Sequence, residues 1–442
     1  MKRPLDQPNE STDGCSYDST DQERSQRSRS IRLLLHTSDG IIPYLTPLLL
    51  QKYLPAPQNH LVVGIAVRDT CSKPTFPSPE STKPNGYGFA STSLVVDPTA
   101  QPYHKLLLPT FDLLQDSIGK SPVSSHDTHV MLWTPHGRLP LTPNTYRTMC
   151  TTTANAAPAT SSSLPLISLA NSSVAMFDMA TDHDTKKRKE TAARRTMSWW
   201  KHHEAILQDT CNHMMVLFPI VLVGNTPHQA PPSPRGLPST ASGYAIVGTD
   251  HISSRQERNE RLGHVLTECD PTKPVVVLSC HTFQQLLDFV RLGVDTIGTS
   301  LPTQWSQSQL AFGCDLTMMD GLPIFTSSHT NKATKKIKAL KETTMPSVLE
   351  LDHNGCFNVG DPIFARDARP LVPGCSCLAC HFHSRAYIHH LIVAKELLAQ
   401  ILLFCHNLTH LLEFCKQATR AKQENQLEEF CDFVEKQLNS IL

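Results

Sequence analysis

An α/β chain built on a TIM-like (β/α)8 barrel, with a Cys3His zinc-binding subdomain and C-terminal helices, follows from three observations. After residue 215, short and continuously apolar runs alternate with amphipathic helical spacing, the signature of a parallel sheet buried on both faces. No glycine-rich dinucleotide fingerprint opens any of these helices, so a barrel fits the repeat better than a doubly wound sheet. Near the C-terminus, Cys375-Ser-Cys377-Leu-Ala-Cys380 brings three thiols within six residues. Such spacing points to a metal where no disulfide framework is expected.

The elements follow in order. Residues 1–29 are polar, rich in Ser, Asp and Arg, and expected to be disordered. A barrel is expected over 30–345, beginning at Ile31-Arg-Leu-Leu-Leu, with strands at His60–Val67 and Thr128–Trp133. Low-complexity loops are expected as insertions near 150–173 and 227–240. The basic stretch Lys186-Lys-Arg-Lys189, leading to Arg194, Arg195, Trp199 and Trp200, reads chiefly as a solvated helix face, with phosphate contact or a localisation signal as the other readings. The regular part predicts strands at Val216–Val223, Gly243–Gly248, Pro274–Ser279 and Val294–Ile297, and helices at Arg255–Cys269 and Phe283–Leu292. Residues 346–442 hold the cysteines and an amphipathic helical pair from Leu408 to Leu442, with Leu411, Leu412, Phe414, Phe430, Phe433 and Leu438 on apolar positions.

Composition narrows the class. Lys+Arg and Asp+Glu both total 40, so no global charge signals a nucleic-acid or membrane partner. Fourteen cysteines without a secretory signal predict a reducing, intracellular compartment. The apolar stretch Tyr387–Leu412 is broken by Lys395, Glu396 and several histidines, so no bilayer span is predicted.

Three thiolates and one imidazole make a closed, structural zinc site with no open position for substrate. Gly374, Ser376 and Ala379 are small enough for the tight turn it needs. Spacing leaves the fourth ligand open, because His381, His383, His389, His390, His406 and His410 all compete.

The surrounding residues resemble a known family. Ser384-Arg-Ala-Tyr-Ile-His-His-Leu391, Lys395-Glu-Leu-Leu398 and His406-Asn407-Leu408 are similar to the tRNA-guanine transglycosylases, as are Gly243-Tyr-Ala-Ile and Leu292-Gly-Val-Asp295 before Pro302-Thr303. The likeness is strong over about 194–415 and thin before 130. It implies a barrel, and it implies a structural Zn²⁺ held by Cys375, Cys377, Cys380 and His406. That family exchanges a guanine in a tRNA anticodon for a modified base through a covalent glycosyl-enzyme intermediate on a carboxylate.

The resemblance fails where the chemistry is expected. Its nucleophile segment aligns with Gly293-Val-Asp-Thr-Ile-Gly298-Thr-Ser-Leu-Pro-Thr-Gln304, which puts Gly298 at the attacking carboxylate and Gln304 at an arginine. Asp295 stands three residues earlier, on the opposite face of a strand. The family's Asp-Ser-Gly-Gly-Phe-Gln loop has at most a faint echo in Asp116-Ser-Ile-Gly119, and its base-reading amide falls near Leu222-Val-Gly-Asn225. A metal core without an active site resembles the family's accessory, non-catalytic chains, as do Thr134-Pro-His-Gly137 and the stretches Asn331-Lys332 and Asp352-His-Asn.

That resemblance implies a heterodimer with a catalytic queuine tRNA-ribosyltransferase subunit, paired through the zinc region and C-terminal helices. It also implies tRNA binding, cytoplasmic location and peripheral association with the mitochondrial outer membrane, although no residue reads as an anchor. The best candidates for phosphate contact are Lys332, Lys335, Lys336 and Lys338, with a plain solvated helix as the competing reading. Two other classes stay open: an active transglycosylase with an unrecognised nucleophile, and a zinc-stabilised RNA-binding scaffold.

Overall fold

A computed structural model describes residues 29–37, 42–45, 49, 60–66, 104–108, 126–134, 137–146, 172–180, 184–209, 215–222, 237–316 and 351–439. Most of the 1–29 tail and of both inserted loops, Asp116–Gly119 and the four candidate lysines lie outside the described residues.

The first three strands are β1 (Arg32–Thr37), β2 (Leu61–Ala66) and β3 (His104–Leu108). A hairpin of β4 (Val130–Thr134) and β5 (Gly137–Leu141) precedes β6 (Ser172–Val174) and helix α1 (Lys186–Asp209). Then follow β7 (Met215–Val221), β8 (Gly243–Val247), α2 (Arg255–Glu268), β9 (Val275–Cys280), α3 (Phe283–Arg291), β10 (Thr296–Thr299) and α4 (Leu301–Gln307). The remainder comprises β11 (Leu310–Phe312), β12 (Cys356–Asn358), α5 (Leu378–Phe382), α6 (Arg385–Val393), α7 (Leu397–Gln423) and α8 (Leu427–Asn439).

Eight strands form one curled parallel sheet in the order β1-β10-β9-β8-β7-β6-β3-β2, and β1 meets both β10 and β2. Alternation sorts their side chains: Leu34, Val62, Leu106, Val174, Ala245 and Leu278 cluster inside, while Leu33, Leu35, Val63, Ile246 and Val277 join the outer core. β7, β8 and β9 are buried on both faces, which is why they read as nearly continuous apolar runs. Among the described residues, α-helices follow β6, β8, β9 and β10. Ser254 and Thr282 start α2 and α3 by accepting hydrogen bonds from the Glu257 and Gln285 amides at 3.3 and 3.1 Å.

The C-terminal region is stitched to the sheet. α7 packs on α4, β11 and β1, and the Ile31 amide donates to Thr419 Oγ1 at 2.9 Å. Beneath the sheet, Arg29 donates to Asp295 at 2.7 Å and to the Lys273 and Pro271 carbonyls. α8 is tied to α2 and α3 through Glu435, which meets Arg255 at 2.9 Å and Arg291 at 2.5 Å. α7 is long and apolar enough to cross a membrane, but 67% of its most apolar window is buried inside the protein, so it is a core helix here.

Several expectations need correction. β10 begins at Thr296 rather than Val294. α7 starts at Leu397, so Leu408 lies inside a helix that the periodicity began there. β6 uses Ser172 and Ser173, expected as the end of a low-complexity loop, because pairing with β3 and β7 supplies what composition lacks. β12 lies beyond residue 345 yet pairs antiparallel with β11 before it.

Candidate metal centre and the barrel mouth

Gly374 adopts φ 78°, a left-handed conformation that suits glycine, and turns the chain into the cysteine loop. Cys377 caps α5: its Sγ accepts from the Cys380 amide at 3.3 Å, and Cys380 Sγ accepts from the Val372 amide at 3.5 Å. α7 then delivers His406, fully buried, with Nδ1 3.7, 3.5 and 3.3 Å from the sulfurs of Cys375, Cys377 and Cys380. Tetrahedral zinc with Zn–S near 2.3 Å and Zn–N near 2.05 Å requires S···N separations of about 3.5 Å, so the donor set fits such an ion. All four ligand atoms lie within 4.8 Å of one another.

His406 Nε2 donates to the Phe312 carbonyl at 2.9 Å, which fixes the tautomer and leaves Nδ1 for a metal. Asn407 bonds the Phe312 amide and the Leu310 carbonyl at 2.8 and 3.0 Å, and His410 bonds the Cys314 carbonyl at 2.8 Å. Polar groups on α7 thus hold the β11 segment that positions the ligand. Hydrogen bonds from the Cys377 and Cys380 thiols pull the Cys375 thiol well below the usual range. Burial instead pushes Cys269, Cys280, Cys415 and Cys431 up to about 12, which keeps them as thiols. Arg385 braces the loop from behind: it stacks on Phe357 and Phe364 and donates to the Leu371 carbonyl at 2.8 Å and to Asp367 at 3.0 Å.

The competing histidines stay outside the cluster. His383 stacks on Tyr387, His381 packs edge-on against Phe382, and His410 stacks on His406. Along the sequence, a collar of exposed apolar side chains flanks the cysteine loop. Ile363, Phe382, Tyr387, Val393, Leu397 and Leu398 all lie between residues 363 and 398, and Phe382, Val393 and Leu397 are 59%, 65% and 62% exposed. Sequence reasoning missed this collar because the same residues fit a buried stripe.

At the carboxyl ends of the strands, where barrel enzymes keep their chemistry, Gly298 stands opposite Leu34 on β1. The β9–β10 register slips between Ile297 and Thr299. A Cβ on Gly298 would lie 2.2 Å from the Leu278 carbonyl oxygen and 2.8 Å from His36 Nε2. The backbone of β9 therefore occupies the space that any side chain at 298 would need. His36 is buried beside it, and burial lowers its imidazole to about 3. Asp295 sits at the opposite end of β10, engaged by Arg29, by Lys422 at 3.7 Å and by the Val275 amide at 3.1 Å. Gln304 is turned to Ser300 Oγ at 2.7 Å, and Leu222 is buried. Val223–Asn225 lie outside the described residues.

The family model for queuine tRNA-ribosyltransferase matches residues 163–440. The chain belongs to the queuine tRNA-ribosyltransferase family. Similar proteins named queuine tRNA-ribosyltransferase accessory subunit 2 come from Danio rerio, 30% identical over 42% of this chain, and from Homo sapiens, 29% identical over 41%. These matches span slightly less than half of the relatives' own length, 46% and 44%. Their counterpart in Drosophila virilis is 27% identical over 94% of this chain and 89% of its own. In this family member, then, a Cys3His group of metal-binding geometry accompanies a parallel sheet that has no room for a side chain at Gly298.

Proposed function

We propose that this chain is the non-catalytic subunit of a heterodimeric queuine tRNA-ribosyltransferase. In this reading it supports exchange of guanine for queuine at wobble position 34 of tRNAs with GUN anticodons (Asp, Asn, His and Tyr), by binding tRNA and stabilising a catalytic partner. The observation that carries the reading is Gly298, where Leu278 and His36 leave no room for a carboxylate. The names of the relatives agree with it.

Zn²⁺ is the ion this donor set suits, and Cys375, Cys377, Cys380 and His406 would hold it. With all four positions taken by protein, it would supply rigidity between the cysteine loop and α7 and no Lewis-acid chemistry. The partner surface would be the apolar collar, since so many large exposed apolar groups in one region mark an interface. Cytoplasmic location and peripheral docking on the mitochondrial outer membrane belong to the same proposal, tested by fractionation of the intact complex.

The deciding experiment measures queuine or guanine exchange into a GUN-anticodon tRNA with this chain alone, the catalytic subunit alone, and both together. Activity only in the mixture is expected. Exchange by this chain alone would mean an unrecognised nucleophile. A chain that neither binds nor stimulates any catalytic subunit would be an RNA-binding scaffold or something further removed.

A further inference from the structure

The basic stretch that opens α1 divides between two tasks. Arg188 and Arg195 turn inward to the buried Asp178, at 2.7 and 3.1 Å, and fasten the helix to the segment after β6. Ala192, Thr196, Trp199, Trp200 and His203 form the buried face. On the opposite face, helical spacing aligns Lys187, Thr191, Arg194, Ser198 and Lys201 within about 40° of one line. Thr191 is half-buried and the other four are exposed. From Lys187 to Lys201 the ridge runs about 21 Å, at 1.5 Å per residue.

Three side chains on this ridge carry positive charge, Ser198 adds a hydroxyl, Thr191 Oγ1 donates to the Lys187 carbonyl at 2.8 Å, and the helix itself places no carboxylate on this line. Glu190 lies to one side and faces Lys186 at 4.0 Å. Asp127 reaches Arg194 at 3.2 Å but makes its shorter bond, 2.7 Å, to Arg195. Evenly spaced cations with hydroxyls between them match a row of phosphates better than a carboxylate-bearing protein surface, because a nucleic-acid backbone presents anionic acceptors at regular intervals.

We propose that this ridge of α1 is a phosphate-contact surface along which the backbone of the bound tRNA lies. The inference rests on the tRNA-binding role proposed above and names the surface that performs it. Binding here is positional and independent of base sequence, so its mark is salt dependence.

The test uses the full chain assembled with its catalytic subunit and measures tRNA affinity by fluorescence anisotropy across a salt series. The variants are Lys187→Gln/Arg194→Gln/Lys201→Gln and the charge-keeping Lys187→Arg/Arg194→Lys/Lys201→Arg. The neutralised variant is expected to bind about tenfold or more weakly near 0.1 M salt. Its plot of log affinity against log salt should be flatter by about 2, at roughly 0.7–0.9 for each phosphate that is no longer neutralised. The charge-keeping variant should match the unmodified protein, and all three should form the same complex on gel filtration. Unchanged affinity and slope in the neutralised variant would overturn the proposal and leave the accessory role intact. A neutralised variant that loses binding to phosphatidylserine vesicles, with tRNA affinity unaltered, would assign the ridge to a membrane and overturn it equally. If the unmodified complex gains no tRNA affinity from this chain, both readings fail together.

Discussion

Replacing Gly298 is the sharpest test of how the barrel mouth is built. A methyl group there meets Leu278 O at 2.2 Å, Leu278 C at 2.7 Å and His36 Nε2 at 2.8 Å. Two of these three obstacles are backbone atoms of a central strand, so relief requires β9 and β10 to part by about 1 Å. Overpacking of this kind typically costs 1–3 kcal/mol, and contact with backbone puts Gly298→Ala at the upper end, about 3 kcal/mol. Gly298→Asp should cost more, since it adds a carboxylate to a dehydrated interior. With about 2 cal/mol/K of unfolding entropy per residue, a chain this long would lose roughly 3 °C in Tm for the alanine change. Gly263→Ala is the control. Gly263 sits in α2 with only Leu292 Cδ2 near, at 3.8 Å, so alanine there should be neutral or stabilise by up to about 1 kcal/mol. Denaturant titration and a thermal melt measure both variants. Gly298→Ala as stable as the unmodified chain would refute the steric argument, and exchange activity in isolated Gly298→Asp would refute the conclusion drawn from it.

Three further outcomes are expected. Purified chain should carry about one equivalent of zinc; His406→Ala or Cys377→Ser should lose most of it and several kcal/mol of stability, and metal analysis showing full occupancy in His406→Ala would exclude that ligand set. His36 is held neutral in the fold, with its pKa lowered to about 3, so the unfolded chain binds the extra proton below its own value near 6.5. Stability from this group is therefore complete above pH 6.5 and declines as the pH falls, by about 1.4 kcal/mol at pH 5.5; His36→Gln should flatten that slope, and an identical pH profile would count against it. Phe382→Asp/Val393→Asp/Leu397→Asp should leave the melting temperature nearly unchanged, because these side chains are exposed. The triple change should weaken association with the catalytic subunit at least tenfold by analytical ultracentrifugation, and unaltered association would move the interface elsewhere.

What the sequence revealed and what it hid have physical causes. Val275–Cys280 and Gly243–Val247 were legible because strands buried on both faces need apolar residues at every position. Ser172–Val174 was not, since two serines become strand only through their neighbours β3 and β7. The cysteine cluster announced itself by spacing, but the histidine did not. What distinguishes His406 is its company: His406, Asn407 and His410 are polar groups on the buried face of an apolar helix, each obliged to find a partner on or beside β11. A glycine in the middle of β10, Thr-Ile-Gly-Thr, was the available hint that two backbones press together at Gly298.

The stitch beneath the sheet bears on how the protein is made. β1 leaves the ribosome long before its partners: Arg29 answers to Asp295, 266 residues later, and Ile31 to Thr419, 388 residues later. Its flanking strand β10 and its supporting helix α7 do not exist while β1 waits. The seam of the sheet therefore closes only after β10 and α7 have been made, and until then β1 presents an unpaired edge of Leu33, Leu34 and Leu35. For this chain the exposure of that edge to chaperones, or to misassembly, lasts until those distant segments have emerged.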